Sequence, residues 1–205
     1  MEQYNLNNAK YGTHNLIAEE IGRGKSVLDV GCNKGYLMLL AKENDFYGID
    51  FDEIDLAGAR EAGYQEVFKI NLNNYANFAT NRKFDLIVFA DILEHLLSPE
   101  KVLEFFRTNY LKKEGRVIIS FPNVANISVR LRLLFGNFDY VESGILDRTH
   151  LHLYTLKTAR NFIESGGLKI IQEKFSSNRF GRLIAVFPFL SRILAYNLIF
   201  ICQEK

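Results

Sequence analysis

From Ser26 onward, short apolar runs alternate with stretches whose apolar positions recur every three to four residues. The first kind of pattern is that of buried strands and the second that of helices with one inward face. Ser26–Val30 (SVLDV) is an apolar run bounded by Gly24 and Gly31, and Leu37–Lys42 follows as a helix. Phe46–Asp50 reads as a second strand, Glu53–Ala62 as a helix, and Gln65–Ile70 as a third strand. Phe84–Ala90 (FDLIVFA) is a fourth, strongly apolar strand. The helix expected over Pro99–Tyr110 turns Val102, Leu103, Phe105 and Phe106 inward. Arg116–Phe121 is a fifth strand, closed by Pro122. Leu156–Ser165 is helical and stops at Gly166-Gly167, and two further strands are expected at Leu168–Glu173 and Leu198–Gln203. The alternation predicts an α/β fold: a Rossmann-like, seven-stranded, mostly parallel sheet with helices on both faces.

Two segments fall outside the alternation. Residues 1–24 form an N-terminal helical segment, with Leu16, Ile17 and Ile21 on one face. Residues 124–154 form an insertion after the fifth strand. Ligands of open parallel sheets sit beyond the carboxyl ends of the strands. The insertion is therefore expected as a lid beside the ligand and acceptor. No linker or repeat divides the chain, so residues 1–205 are expected to form one domain.

Composition adds limits. Apolar residues are 48% and charged residues 24% of the 205, enough for a core without disulfide or metal staples. The net charge of +1 offers no basic footprint for nucleic acid. Cys32 and Cys202 stand in no CxxC or ligand spacing and fit a reducing, cytoplasmic setting. Met1–Lys10 is polar and Asn-rich, unlike a signal peptide. The apolar stretch Leu183–Cys202 is interrupted by Pro188, Ser191, Arg192 and Asn197, and reads as an amphipathic helix followed by a buried strand, with no membrane span.

The candidate chemistry starts at Asp29-Val30-Gly31-Cys32-Asn33-Lys34-Gly35, a strand running through a glycine turn into a helix. Asp50 ends the next strand about 20 residues later, the usual place of a ribose-hydroxyl acceptor. A nicotinamide-binding turn would carry glycine at positions 31, 33 and 36, but 33 is Asn and 36 is Tyr. A carboxylate at Asp29 would also repel a pyrophosphate. It suits a ligand bearing an ammonium and a sulfonium, because opposite charges about 4 Å apart in a partly desolvated cleft attract by a few kcal/mol.

With these motifs the chain resembles the class I S-adenosylmethionine-dependent methyltransferases. Asp29, Gly31 and Gly35 match their D-x-G-x-x-x-G element, and Tyr47-Gly48-Ile49-Asp50 matches their second-strand acid. Phe84-Asp85-Leu86-Ile87 and Asp91-Ile92-Leu93-Glu94-His95 match their fourth strand and the turn after it. The match is good from Ser26 to Phe121 and looser beyond. The resemblance implies S-adenosylmethionine as methyl donor. Asp29, Gly31, Cys32, Asn33 and Gly35 would then hold its methionine part, with Asp91 and Ile92 lining that side. Asp50 would take the ribose hydroxyls, with Phe51, Asn71 and Leu72 at the adenine. Asn33 replaces a common glycine, and Asn tolerates left-handed geometry. Asn71 replaces an acid and can pair with adenine only without charge.

The acceptor half leaves alternatives open. A hydroxyl acceptor benefits from a base. His95, just after the fourth strand, is the first candidate base, and His150 in the insertion is the second. On a regular helix Asp91, Glu94 and His95 share one face. They would then hold a divalent metal, or Glu94 and His95 would merely brace the turn. Asp147-Arg148 is either an internal brace or a grip on an anionic acceptor. Val129, Leu131, Leu133, Leu134 and Phe135, interleaved with Arg130 and Arg132, would either pack over the core or touch a lipid surface peripherally. The resemblance also extends to ubiquinone-pathway O-methyltransferases through the acid-x-x-Glu-His stretch. Through Asn123–Phe138 and Asp147–Tyr154 it extends to methyltransferases of bacterial surface-polysaccharide systems. The activity that the resemblance implies is methyl transfer to an oxygen of a small-molecule or glycan acceptor. The alternative is a catalytically silent relative that binds the cofactor or a protein.

Overall fold

The computed structural model describes residues 9–205; most of the polar stretch Met1–Lys10 lies outside them. Seven strands form one sheet: β1 (Ser26–Val30), β2 (Asp45–Asp50), β3 (Glu66–Lys69), β4 (Phe84–Ala90), β5 (Leu111–Pro122), β6 (Leu168–Ser176) and β7 (Asn197–Glu204). Their order is β3-β2-β1-β4-β5-β7-β6. The first five run parallel, while β7 is antiparallel to both β5 and β6. The central strands read as continuous apolar runs because both faces are covered. Val27, Leu28, Val30, Ile87, Val88 and Phe89 are all fully buried.

The helices are α1 (Thr13–Ile21), α2 (Tyr36–Leu40), α3 (Glu53–Ala62), α4 (Pro99–Tyr110), α5 (Ile127–Leu134), α6 (Leu156–Ser165), α7 (Gly181–Val186) and α8 (Ser191–Leu194). The ranges expected for α3, α4 and α6 match the observed ones, since each has a strong start or stop. Asp52 caps α3 through the Ile54 amide, Pro99 opens α4, and a Thr155–Thr158 capping box opens α6. Alternate faces of the sheet carry two cores. One is rich in aromatic rings around Phe78, Phe84, Phe106 and Phe121. The other packs α1 and α3 on Val27, Phe46 and Val88.

Two expectations need correction. The segment before β7 is no single amphipathic helix: Pro188 breaks it into α7, a 3-10 turn at Pro188–Leu190, and α8. The apolar stretch of α5 does not pack over the core either. Only Val129 is buried, against Ile145 and Leu146, while Leu134 and Phe135 are 75% and 76% exposed. No helix among the described residues is long and apolar enough to cross a membrane.

The reversal of strand order lies between β1 and β4, so their carboxyl ends open the crevice where such sheets bind ligands. The insertion leaves β5 on that side. It divides into an outer part, exposed almost throughout from Leu131 to Gly144, and an inner part, Ile145–His150, that is largely buried. The inner part is followed by the Leu151 and His152 amides, which both donate to the Glu94 carbonyl.

Candidate active site

The turn after β1 is built around two left-handed glycines. Gly31 has φ +82°, and a side chain there would lie 2.7 Å from Ile92; Gly35 has φ +78° and would meet the Tyr64 ring at 2.7 Å. Neither position tolerates a Cβ, so the backbone of β1 and the Ile92 side chain stay in close approach. Asn33 adopts φ 47°, the left-handed geometry expected of it.

Asp50 organises this turn from β2. Its carboxylate accepts the Asn33 amide at 2.9 Å and the Phe51 amide at 2.7 Å, with Asp52 N at 3.2 Å. The phenyl ring of Phe51, 67% exposed, stands free at the rim. On the far side, Asn71 caps its 3-10 turn by accepting Asn73 N, and Leu72 is buried beneath. Among the cofactor candidates, Gly31, Asn33, Gly35, Asp50 and Phe51 therefore meet at the ends of β1 and β2. Cys32 belongs to the turn through its backbone only. Its thiol lies in the core against Gly48, and burial pushes its pKa far up.

Asp29 is placed deeper than a residue at an open strand mouth. It is 2% exposed and accepts a 2.6 Å hydrogen bond from the Tyr64 hydroxyl. Burial raises its pKa to about 7; the Tyr64 bond works against the rise and the Asp50 charge adds to it. Tyr64 carried no signal in the sequence, because its role depends on α3 bringing it back over β1.

Asp91 begins the turn after β4 with φ 51°. Its two carboxylate oxygens accept from the Ser120 hydroxyl at 2.6 Å and the Asn197 amide at 2.5 Å, and its own N–H donates to Ser120 Oγ. The left-handed residue turns the chain so that Asp91 cannot share a helical face with Glu94. Leu93–His95 is only a single 3-10 turn. The triplet expected at Asp91, Glu94 and His95 is thus not the one the fold assembles. The cluster that forms is Glu94, His95 and His150, with one candidate ligand atom from each and all of these within 4.8 Å of one another.

Glu94 is fully buried, and neither carboxylate oxygen has a hydrogen-bond partner. Burial holds its carboxyl well above the usual carboxylate range, Asp91 and then Asp147 add to this, and its own amide N–H eases it. The His95 and His150 rings lie edge to face at 4.7 Å. Burial, and then the neighbouring His150, keep the His95 pKa below that of a free imidazole. Of the two readings open for Asp147-Arg148, the brace runs to other partners. Arg148 pairs with Glu142, and Asp147 accepts the Thr149 amide at 2.8 Å and the Thr149 hydroxyl at 2.6 Å.

One further histidine borders the crevice. His14 on α1 packs edge-on to Tyr36, near enough to feel the Asp91 charge, and its Nδ1 has no partner. Its position was not legible locally, because nothing in α1 marks the end that comes near Asp91.

A family model described as a methyltransferase domain matches residues 5–173. A ubiquinone biosynthesis O-methyltransferase of Coxiella burnetii is 28% identical over 156 residues, which cover 73% of this chain and 65% of that protein. The chain thus spans just under two thirds of that relative's length. A ribosomal protein L11 methyltransferase of Thermosipho africanus is 34% identical over 123 residues, 58% of this chain and 44% of that protein. Among solved structures, magnesium protoporphyrin IX methyltransferase from Synechocystis PCC 6803 with bound SAH superposes with a TM-score of 0.64. The identity there is 18%, with 94% of this chain and 84% of that one covered.

Proposed function

The chain belongs to the methyltransferase-domain family, and from that premise we propose that it binds S-adenosylmethionine at the Gly31–Gly35 turn and methylates an oxygen of a small-molecule or glycan acceptor. The observation that carries the cofactor reading is the Asp50 carboxylate. It is fixed by three backbone amides at the carboxyl end of β2, beside an exposed aromatic ring. That pairing suits a ribose and an adenine. The acids Asp50 and Asp91 at the strand ends suit a cationic methionine end and disfavour a pyrophosphate, while Asp29 lies buried behind the turn.

When bound, the cofactor supplies a methyl group already activated on a sulfonium, so positioning does much of the work. Asp50 orients the ribose. The Gly31–Gly35 backbone and Ile92 shape the methionine side, and Asp91 contributes charge there from a position locked by Ser120 and Asn197. The acceptor side is the floor made by Glu94, His95 and His150 under the insertion. His95 is the base candidate there as long as no ion occupies its Nε2: its ring is held in place by Thr149, 2.9 Å from Nδ1, and burial keeps its pKa below that of a free imidazole. The O-methyltransferase relative supports oxygen as the acceptor atom.

The test is calorimetric titration with S-adenosylmethionine, S-adenosylhomocysteine and NADH. The first two should bind and raise the melting temperature, while NADH should not. Asp50→Ala should weaken both by about tenfold or more, since charge-assisted bonds to the ribose are lost. NADH binding, or an unchanged dissociation constant in the variant, would remove this reading of the crevice.

A further inference from the structure

Three ligand-type groups converge below the insertion, and Glu94 makes no hydrogen bond to either imidazole. The His150 Nδ1 lies 3.1 Å from the Ile145 carbonyl. A carbonyl only accepts, so Nδ1 carries the hydrogen and Nε2 is left as an acceptor. The His95 Nδ1 lies 2.9 Å from the Thr149 hydroxyl. That hydroxyl already donates its one proton to Asp147 at 2.6 Å, so it accepts from His95, whose Nε2 is also left bare. Both imidazoles are thereby fixed in the same tautomer by outer partners, the arrangement that orients metal-binding histidines. The third group is Glu94, wholly buried, with two oxygens lacking any donor. A buried carboxyl group with no partner, beside two imidazole lone pairs, is unfavourable whether or not it keeps its proton, and a cation among the three would satisfy all of them.

We propose that Glu94, His95 and His150 bind a divalent first-row transition metal ion through one carboxylate and two Nε2 atoms. Two imidazoles and a carboxylate suit a zinc-, cobalt- or manganese-class ion rather than calcium. Their ligand atoms, within 4.8 Å of one another, draw in around bonds of about 2.0–2.2 Å. Three protein ligands leave an open side, as in catalytic rather than structural sites. Ile92, two residues before Glu94, packs on Gly31, so the cluster follows the cofactor turn's neighbour along the chain. The ligand class the open side takes is an oxygen donor, such as a hydroxyl of the acceptor, whose pKa an ion lowers. This last point rests on the methyl-transfer reading; the metal site itself does not.

The experiment uses the whole chain, stripped with a chelator and freed of any histidine tag. Cobalt(II) titration should saturate at one equivalent with visible d–d absorption, and zinc(II) should displace it and raise the melting temperature. Glu94→Gln and His150→Ala should lose the stoichiometric absorption. Thr149→Val, which removes only the outer partner of His95, should weaken cobalt by roughly 10–100-fold. Circular dichroism and S-adenosylhomocysteine titration on each variant report folding and the cofactor half separately. No cobalt absorption in a folded wild type that still binds S-adenosylhomocysteine would overturn the metal site and leave the methyl-transfer reading standing. The same holds for Glu94→Gln binding cobalt as tightly as wild type. Such results would mean that the cluster shares protons instead.

Discussion

Asp29 shows how far a single side chain departs from its place in a motif. Its carboxyl group is enclosed by β1, α3 and the Tyr64 ring, and its pKa rises to about 7. The unfolded chain releases that proton near the ordinary Asp value of about 3.9. The folded state therefore holds more protons between about pH 4 and 7, and stability falls as pH rises through that window. Asp29→Asn removes the titration while keeping an acceptor for the Tyr64 hydroxyl. The variant should melt several degrees higher than wild type at pH 8 and about equally at pH 4, where a kcal/mol corresponds to roughly 2–4 °C for a chain this size. Thermal melts across pH measure this; a variant with the wild-type pH profile would mean that Asp29 keeps its ordinary pKa. Asp91 makes the complementary case, since its left-handed φ of 51° and its two short bonds hold one carboxylate in one direction.

The insertion was expected to act as one element and is two. Its outer part, α5 and the turn after it, rests on the small cluster of Val129, Ile145 and Leu146. Its inner part is fastened to the turn after β4 by the Leu151 and His152 amides and by His152 Nε2 on the Leu96 carbonyl. Local opening follows buried contact. Amides from Leu131 to Ser143 should exchange hydrogen markedly faster than those from Ile145 to Tyr154 in the free protein. Adding cofactor and acceptor together should protect the outer part. Exchange followed by mass spectrometry reads both. Equal protection of the two parts in the free protein would restore a single rigid insertion.

Across the whole molecule, the uneven feature is apolar surface. Leu131, Leu133, Leu134, Phe135, Phe138 and Tyr140 are all exposed on the outer insertion. Contiguous exposed apolar residues add little to folding and favour association. A Leu134→Ser, Phe135→Ser double variant should therefore keep its melting temperature within about 4 °C, because substitutions off the core cost within about 0.5 kcal/mol each. Its self-association at high concentration should fall, as light scattering would show. A large loss of stability would place these side chains in the core instead.

The strand–turn–helix from Ser26 to Leu40 and the acid at Asp50 were determined by the sequence alone. Their geometry is local: a buried strand, two glycines forced left-handed, and a carboxylate about 20 residues on. The helices α3, α4 and α6 were legible for the same reason, since caps and prolines act on their own neighbours. The β7 direction was not, because an apolar run looks the same whichever way it pairs. Nor was the cluster of Glu94, His95 and His150. His95 and Thr149 stand 54 positions apart, and only the return of the insertion onto the Glu94 carbonyl brings His150 to Glu94. Helical periodicity offered Asp91 as the third member. Tertiary structure replaced it, because Ser120 and Asn197, on two later strands, had already taken both of its oxygens.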